Sequence, residues 1–489
     1  MTYTLMLVVF VLGYAAIAFE HQLKIDKAAA ALVTGTLTWT LFILTDHNAA
    51  WLTDAVQSML GTVDGVLHTH FASAELANET VAHSESGLAT HLIEHSLLEH
   101  LSEIASILFF LIGAMTIVEL VDAHEGFAVI TDKIKTTNKV KLMWVIGLLS
   151  FFFSAALDNL TTSIVMVSLL RKLVDDQKDR WFFAGMVVVA ANAGGAWSPI
   201  GDVTTTMLWI KGQITAGAVV THLIVPSIFT LLVPLIILSF RLKGNVKRPM
   251  RSESMDHYTD PTTPFERNFV FFAGVAGLVF VPIFKTVTHL PPFMGMMLSL
   301  GVLWLITDII HRRKPSDIRH ELSVLGVVRK IDTPSVLFFL GILLAVASLQ
   351  SMGQLGDMAV ALDDSIGTDT TNGVYTVSII IGLLSSIVDN VPLVAAAMGM
   401  YDITADGLFQ QDGIFWQFLA YCAGTGGSAL IIGSAAGVAV MGLERISFGW
   451  YLKNISLLAI VGYFAGAGVF ILQNYEIKHS CRDSWGRSR

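Results

Sequence analysis

The sequence predicts an all-α, polytopic membrane protein built from two inverted-topology repeats, each with a re-entrant hairpin and an interrupted transmembrane helix. Three observations predict it. The chain is 54% hydrophobic and only 14% charged, where a soluble protein is about one-quarter charged. Long apolar runs recur along its whole length. Three motifs of the first half return in the second half, in the same order and at nearly one offset.

The apolar runs come first. Segments 142–157, 224–240, 268–284, 334–352 and 455–472 are long enough to cross ~30 Å of hydrocarbon as helices. The alternating pattern of outer-membrane strands is absent, so the bundle is helical. Because the runs continue to the C-terminal region, the first of them reads as a span and not as a cleaved signal. A formal net charge of −9 gives no reason to expect a nucleic-acid partner, and two cysteines, Cys422 and Cys481, imply no disulfide framework. The ending, 481–489, reads poorly as a structured element.

Charge then orients the runs. Segments 46–103, 356–372 and 401–413 contain no Lys or Arg but several acids. They are assigned outside, because cytoplasmic loops keep the positive charge. The basic segments 133–141, 171–180, 241–267 and 312–330 are assigned inside. On this scheme the N-terminus starts outside, Lys24 and Lys27 lie inside, and the basic tail falls outside against the rule. The expected division is repeat 1 over 1–240, with an extracytoplasmic His- and acid-rich loop at 46–103. A flexible cytoplasmic linker, 241–267, leads to repeat 2 over 268–473 and a tail, 474–489. The expected setting is a bacterial cytoplasmic (inner) membrane.

The repeat is legible residue by residue. Ser154-Ala-Ala-Leu-Asp158-Asn159-Leu returns as Ser385-Ser-Ile-Val-Asp389-Asn390-Val, 231 positions on from Ser154 to Ser385. The stretch from Asn192 to Asp202 returns as Gly424 to Ser434, and Leu108-Phe-Phe-Leu111 returns as Leu337-Phe-Phe-Leu340. Each half reads as three spans, a hairpin, an interrupted span and a closing span. The charge map sends the Asp158-Asn159 tip in from the cytoplasm and the Asp389-Asn390 tip in from the other face. Inverted repeats with broken helices are the architecture of secondary transporters, whose site lies at the midplane between repeats.

The chemistry is expected there. Asp158 and Asp389 lie deep in apolar sequence, where a carboxylate costs at least a few kcal/mol unless it is paired, protonated or facing water. The plainer reading, that Asp-Asn only caps the following half-helix, leaves unexplained why an ionisable group is used twice. The glycine-rich stretches 192–202 and 424–434 should unwind and free backbone carbonyls, although glycine alone can also mean close helix packing. At the same level stand Ser198, Asp202, Thr204, Thr205, Ser428 and Ser434. Oxygen-only donors of this kind suit a hard cation, and buried acids without Lys or Arg would repel an anion. The expected cation- and proton-binding set is Asp158, Asn159, Thr162, Asn192, Ser198, Asp202, Thr205, Asp389, Asn390, Ser428 and Ser434. Within it Asp158, Asp202 and Asp389 hold Na⁺. Glu119, which faces Ser348 in the repeat alignment, is either a proton relay or an interfacial acid.

His47, His68, His70, His83, His91, His95 and His100 lie in the 46–103 segment, where His91-Leu-Ile-Glu94-His95 spells a zinc-peptidase pattern. So short a match in a His-rich stretch is weak. A solvated loop is the default, with pH sensing or adventitious metal binding as further options.

On Ser154–Thr162, Asn192–Asp202, Ser386–Pro392 and 424–437, the chain resembles the NhaD family of Na⁺/H⁺ antiporters over nearly all of 20–473. That family lies in the superfamily that includes arsenite permeases and divalent-anion/sodium symporters. Asp-Asn at both tips is shared with the arsenite-permease branch, and the Ser-Asn-Thr tips of the dicarboxylate symporters are absent. The resemblance implies export of Na⁺ or Li⁺ in exchange for H⁺, and a homodimer in the bilayer. It implies no cofactor and no enzymatic activity. The rivals are an anion permease or Na⁺-coupled symporter (arsenite or small carboxylates) on the same scaffold, a membrane enzyme using the His-rich segment, and a channel.

Overall fold

The computed structural model describes residues 2–44, 85–131, 133–249 and 262–486. Their regular structure is helical apart from two isolated β-bridges, Asn138 with Asn245 and Thr404 with Gln410. Seven helical stretches among the described residues are long and apolar enough to cross a membrane. The chain is therefore a polytopic helical membrane protein.

In chain order the principal helices are α1 (Thr2–Ala18), α2 (Lys27–Ile43), α3 (Glu85–Ala123), α4 (Lys139–Leu157), α5 (Asn159–Leu173) and α6 (Gln177–Ala196). Then come α7 (Val203–Ile210), α8 (Ala216–Arg241), α9 (Pro264–Thr288), α10 (Pro292–His311), α11 (Thr333–Ser351) and α12 (Gln354–Ile366). The last are α13 (Thr371–Leu384), α14 (Asn390–Met400), α15 (Ile414–Gly426), α16 (Ala435–Glu444) and α17 (Leu457–Gly486). A helical turn at Phe448–Tyr451 and a π-helical turn at Leu452–Ser456 lead into α17.

The chain forms two compact units: Met1–Ala105 with Pro334–Met358, and Ser106–Thr333 with Ala359–Arg489. Each takes chain from both halves of the sequence, so compactness does not follow the expected 1–240 and 268–473 division. In the first unit Met6, Trp39, Phe42, Ile93 and Ala347 form a small core, and the Trp39 indole donates to the Leu344 carbonyl at 2.9 Å. The second unit has a large apolar core drawn from α4, α5, α6, α8, α16 and the start of α17. There α4, α5 and α6 pack on one another, as do α13 and α15, and α8 lies along α17. The two sets interlock, with α5 against α16 and α7 against α14 and α15.

Three sequence expectations need correction. The loop expected over 46–103 ends earlier, because 85–103 is the first part of α3. Glu, Leu and Ala favour a helix whether or not the face is wet, so the helix extends into the polar segment. At ~1.5 Å per residue, 39 residues exceed what a ~30 Å hydrocarbon layer needs, so polar sequence continues the span. Glu94 and His95 are exposed on it, whereas His47, His68, His70 and His83 lie outside the described residues. The tail is helical as well, since α17 runs through the expected 473/474 boundary to Gly486. Finally, the linker is not free at its start. The Asp175 amide donates to the Lys247 carbonyl, the Val246 amide to that of Thr137, and the Lys139 amide to that of Gly244. At its far end Thr263 and Glu266 form a capping box that starts α9 at Pro264; 250–261 lies outside the described residues.

Candidate functional site

The four helices that follow the Asp-Asn tips and the interrupted stretches each begin with a capping side chain. Asp158 caps α5, Asp202 caps α7, Asp389 caps α14 and Ser434 caps α16. A helix start leaves amides without intrahelical partners and carries a partial positive charge. Short polar side chains are what such ends require, and here three of the four are acids in largely apolar sequence.

Asp158 alone separates α4 from α5. Its φ of 91° and ψ of 160° fall in a region that is essentially reserved for glycine and costs about 1–3 kcal/mol elsewhere. One carboxylate oxygen accepts the Thr161 amide at 2.7 Å and the other the Thr161 hydroxyl at 2.9 Å. A carboxylate offers about four lone-pair sites, so each oxygen retains acceptor capacity. In the second half the break is longer, 385–389. Asp389 has ordinary dihedrals there, and its carboxylate accepts the Val391 amide at 3.3 Å.

Asp202 is the centre. It is 2% exposed and accepts the Thr204 amide at 2.9 Å and the Thr204 hydroxyl at 2.6 Å on one oxygen. The Asn159 amide group donates to the other oxygen at 2.6 Å. Asn390 reaches the carboxylate at 3.3 and 3.4 Å. The two hairpin-tip asparagines thus converge on one carboxylate from opposite halves of the sequence. Asn159 also donates to Asn192 at 3.1 Å, and Asn192 donates at 3.0 Å to both Ser428 and Ser434. The donors in this network are amides and hydroxyls, never Lys or Arg. Asp158 and Asp389 each lie within electrostatic reach of Asp202, so Asp202 has acidic neighbours on both sides of the sequence repeat.

The same plan is built twice. Ser154 donates to the Ala191 carbonyl at 2.6 Å, and its counterpart Ser385 donates to that of Ala423 at 2.9 Å. Gly194 lies so near the Phe151 carbonyl that a Cβ would stand 2.1 Å from it; at Gly426 the distance to the Gly382 carbonyl is 2.0 Å. Each half-helix can approach its hairpin only with glycine there.

Most of the expected set is brought together: Asp158, Asn159, Asn192, Asp202, Asp389, Asn390, Ser428 and Ser434. Thr162 is fully buried one turn into α5, and its hydroxyl has no hydrogen-bond partner. Two expected residues turn elsewhere. Ser198 donates to the Ala155 carbonyl at 2.5 Å, and Thr205 to the backbone carbonyl of Asp202 at 2.9 Å. Glu119 takes no part in the network. It is half-buried in the last turn of α3, under the influence of Asp122 and Lys330. Thr161 was missed, although its place three residues after a capping Asp is a readable signal. No group of three or more His, Cys, Asp or Glu among the described residues is placed to hold a metal ion.

Comparison with known proteins places the chain among transporters. Residues 14–417 match the family model described as CitMHS, citrate transporter. Sodium/proton antiporter 1 of Arabidopsis thaliana is 44% identical over 95% of this chain and 72% of its own length. Sodium/proton antiporter 2 of the same plant is 40% identical over 95% of this chain and 98% of its own. The Na⁺/H⁺ antiporter NhaD of Alkalimonas amylolytica is 28% identical over 96% and 90%. These are transporters and not enzymes. With its paired Asp-Asn tips and match along most of its length, the chain belongs to the citrate-transporter (CitMHS) family and, within it, to the NhaD-type sodium/proton antiporters.

Proposed function

We propose that the protein exchanges Na⁺ or Li⁺ for H⁺ through one site, at which Asp158, Asp202 and Asp389 bind either the metal cation or protons. One observation carries the reading: Asp202 is buried and bound only by neutral amide and hydroxyl donors, with the acids Asp158 and Asp389 each within electrostatic reach of it. Such a cluster needs positive charge from outside the protein, and a hard cation or protons supply it. Asp202 is nearly saturated by its donors, so it orders the site, while Asp158 keeps acceptor capacity on both oxygens. The Thr162 hydroxyl, the carbonyls of the two unwound stretches, Ser428 and Ser434 complete the donor set. Binding one ion displaces the other, and that competition suffices for exchange.

The two sequence halves are read as inverted repeats that supply two opposite-facing states of similar energy. Repeat 1 (1–240) and repeat 2 (268–473) each contribute a hairpin and an interrupted helix. In a bacterial cytoplasmic membrane, the setting expected from sequence, the cycle exports Na⁺ as protons enter and so serves pH homeostasis. A homodimer is the working oligomeric state. An anion permease on this scaffold is disfavoured, because the helix starts that would greet an anion are capped by the chain's own acids.

The test is proton movement in proteoliposomes, followed with a pH-sensitive dye while Na⁺, Li⁺, K⁺ and choline are added in turn. Dye recovery on Na⁺ and Li⁺ is expected, and its loss in Asp158→Asn and Asp389→Asn, both still folded. Retained Na⁺-dependent exchange in either variant would sink the shared site. A response only to arsenite or a dicarboxylate would move the function to anions.

A further inference from the structure

The unwound stretch of the second half is held from outside by a residue that plays no part in the network above. Tyr451 is fully buried, and its hydroxyl donates to the Ser428 carbonyl at 2.9 Å. Ser428 is thereby gripped at three points. Its amide donates to the Thr425 carbonyl at 3.1 Å, its carbonyl accepts from Tyr451, and its hydroxyl accepts from Asn192 at 3.0 Å. From Asn192 the chain of bonds continues to Asn159 and the Asp202 carboxylate.

The placement of Tyr451 is unusual. It immediately precedes the π-helical turn Leu452–Ser456, and π turns within α-helices gather at functional places. The turn is seated on α6, the first half's interrupted helix. There Ile455 fills the groove left by Gly185, where a Cβ would stand 2.6 Å from it. Ser428 lies between α15 and α16, where the backbone is not held by helical hydrogen bonds, so its orientation depends on such outside contacts. A hydroxyl on a rigid ring, fixed by full burial, meets that need.

We infer that Tyr451 is a positioning residue for the cation site, aiming the Ser428 hydroxyl by holding its carbonyl. The inference rests on the shared-site reading. Ser428 is the residue acted upon, and Tyr451 touches neither ion.

The test is a double-mutant cycle on the apparent KM for Na⁺ in proteoliposomes. Tyr451→Phe removes one oxygen and should raise that KM several-fold, with Vmax at saturating Na⁺ nearly unchanged. Ser428→Ala should raise it as well. The double variant should be no worse than Ser428→Ala alone, because nothing is left to aim. Ile455→Val, which loosens the seat of the π turn and leaves the hydroxyl in place, should move the KM in the same direction by less. An unchanged KM in Tyr451→Phe beside a raised KM in Ser428→Ala overturns the positioning role and leaves the shared site standing. Fully multiplicative effects in the double variant overturn it too, since they mark a general structural role. An unchanged KM in Ser428→Ala removes Ser428 from the site, and the inference with it.

Discussion

At Asp158 two demands meet in one residue. The backbone there takes a glycine-like conformation, yet the side chain is an acid that caps α5 and lies within electrostatic reach of Asp202. If the chain wanted only a cap and a turn, glycine would relieve the strain and lose only a few tenths of a kcal/mol of capping relative to the best cap residues. Asp158→Gly and Asp158→Ala should therefore differ in stability and agree in function. Both should abolish exchange. Alanine keeps the parent's strained dihedral and loses the cap, costing about 0.5–2 kcal/mol, whereas glycine should melt within a few degrees of the parent. Thermal unfolding followed by size-exclusion fluorescence, alongside the dye assay, separates the two effects. A glycine variant that still exchanges would mean that the carboxylate is only a cap. Asp158 and Asp389 could be read from sequence because an acid in an apolar run is conspicuous. Thr161 becomes readable only once Asp158 is taken as a cap, since a threonine in such a run is otherwise ordinary.

The helices show what sequence patterning can and cannot deliver. Interrupted helices were legible, because glycine clusters inside apolar runs have few other meanings; α6–α7 and α15–α16 break where the motifs stand. What lay beyond reach was pairing between distant helix ends. His124, just past α3, and His311, the last residue of α10, meet with their Nε2 atoms 2.7 Å apart and their rings stacked, although 187 positions separate them. His124 Nδ1 lies 2.6 Å from the Leu120 carbonyl and so carries the proton, which leaves its Nε2 to accept from His311. Glu266 faces the far side of His311 at 3.9 Å and is itself bound to Lys314 at 2.8 Å. Burial, more than any neighbour, holds the His124 imidazole below its ordinary range, with Lys314 acting in the same direction and the Leu120 carbonyl and Glu266 opposing. The folded pKa being the lower one, the unfolded chain binds more protons between the two values, and stability rises with pH across that window. The contribution is fully present above the unfolded value of about 6.5 and is lost as pH falls below it. Purified protein should melt at a lower temperature at pH 5.5 than at pH 7.5, and His124→Gln should flatten that dependence. An unchanged slope in the variant would place the acid sensitivity elsewhere.

For the molecule as a whole, the decisive question is whether Na⁺ and H⁺ share one place or occupy two. The paired motifs are legible in the sequence, but the meeting of both asparagines on Asp202, an acid with no acidic counterpart at Ser434, is not. Ser434 stands at the equivalent position, so a symmetrical reading gave no hint of a single centre. That asymmetry makes a kinetic prediction. If the carboxylates take either ion, protons compete with Na⁺ directly, and the apparent KM for Na⁺ should climb as pH falls. It should rise by up to about tenfold per pH unit for each competing proton, while the rate at saturating Na⁺ changes far less. If protons instead travel through a separate acid such as Glu119, which shares no hydrogen bond with the cluster, KM should stay level and the maximal rate should fall. Initial rates against Na⁺ at four pH values in proteoliposomes distinguish the two. Glu119→Gln is the natural control: under the shared site its KM should keep the parent's slope against pH, because the residue lies outside the competition. A flat KM in the parent, or a slope that vanishes in Glu119→Gln, would take the proton out of the Asp158–Asp202–Asp389 cluster and require a second site for it.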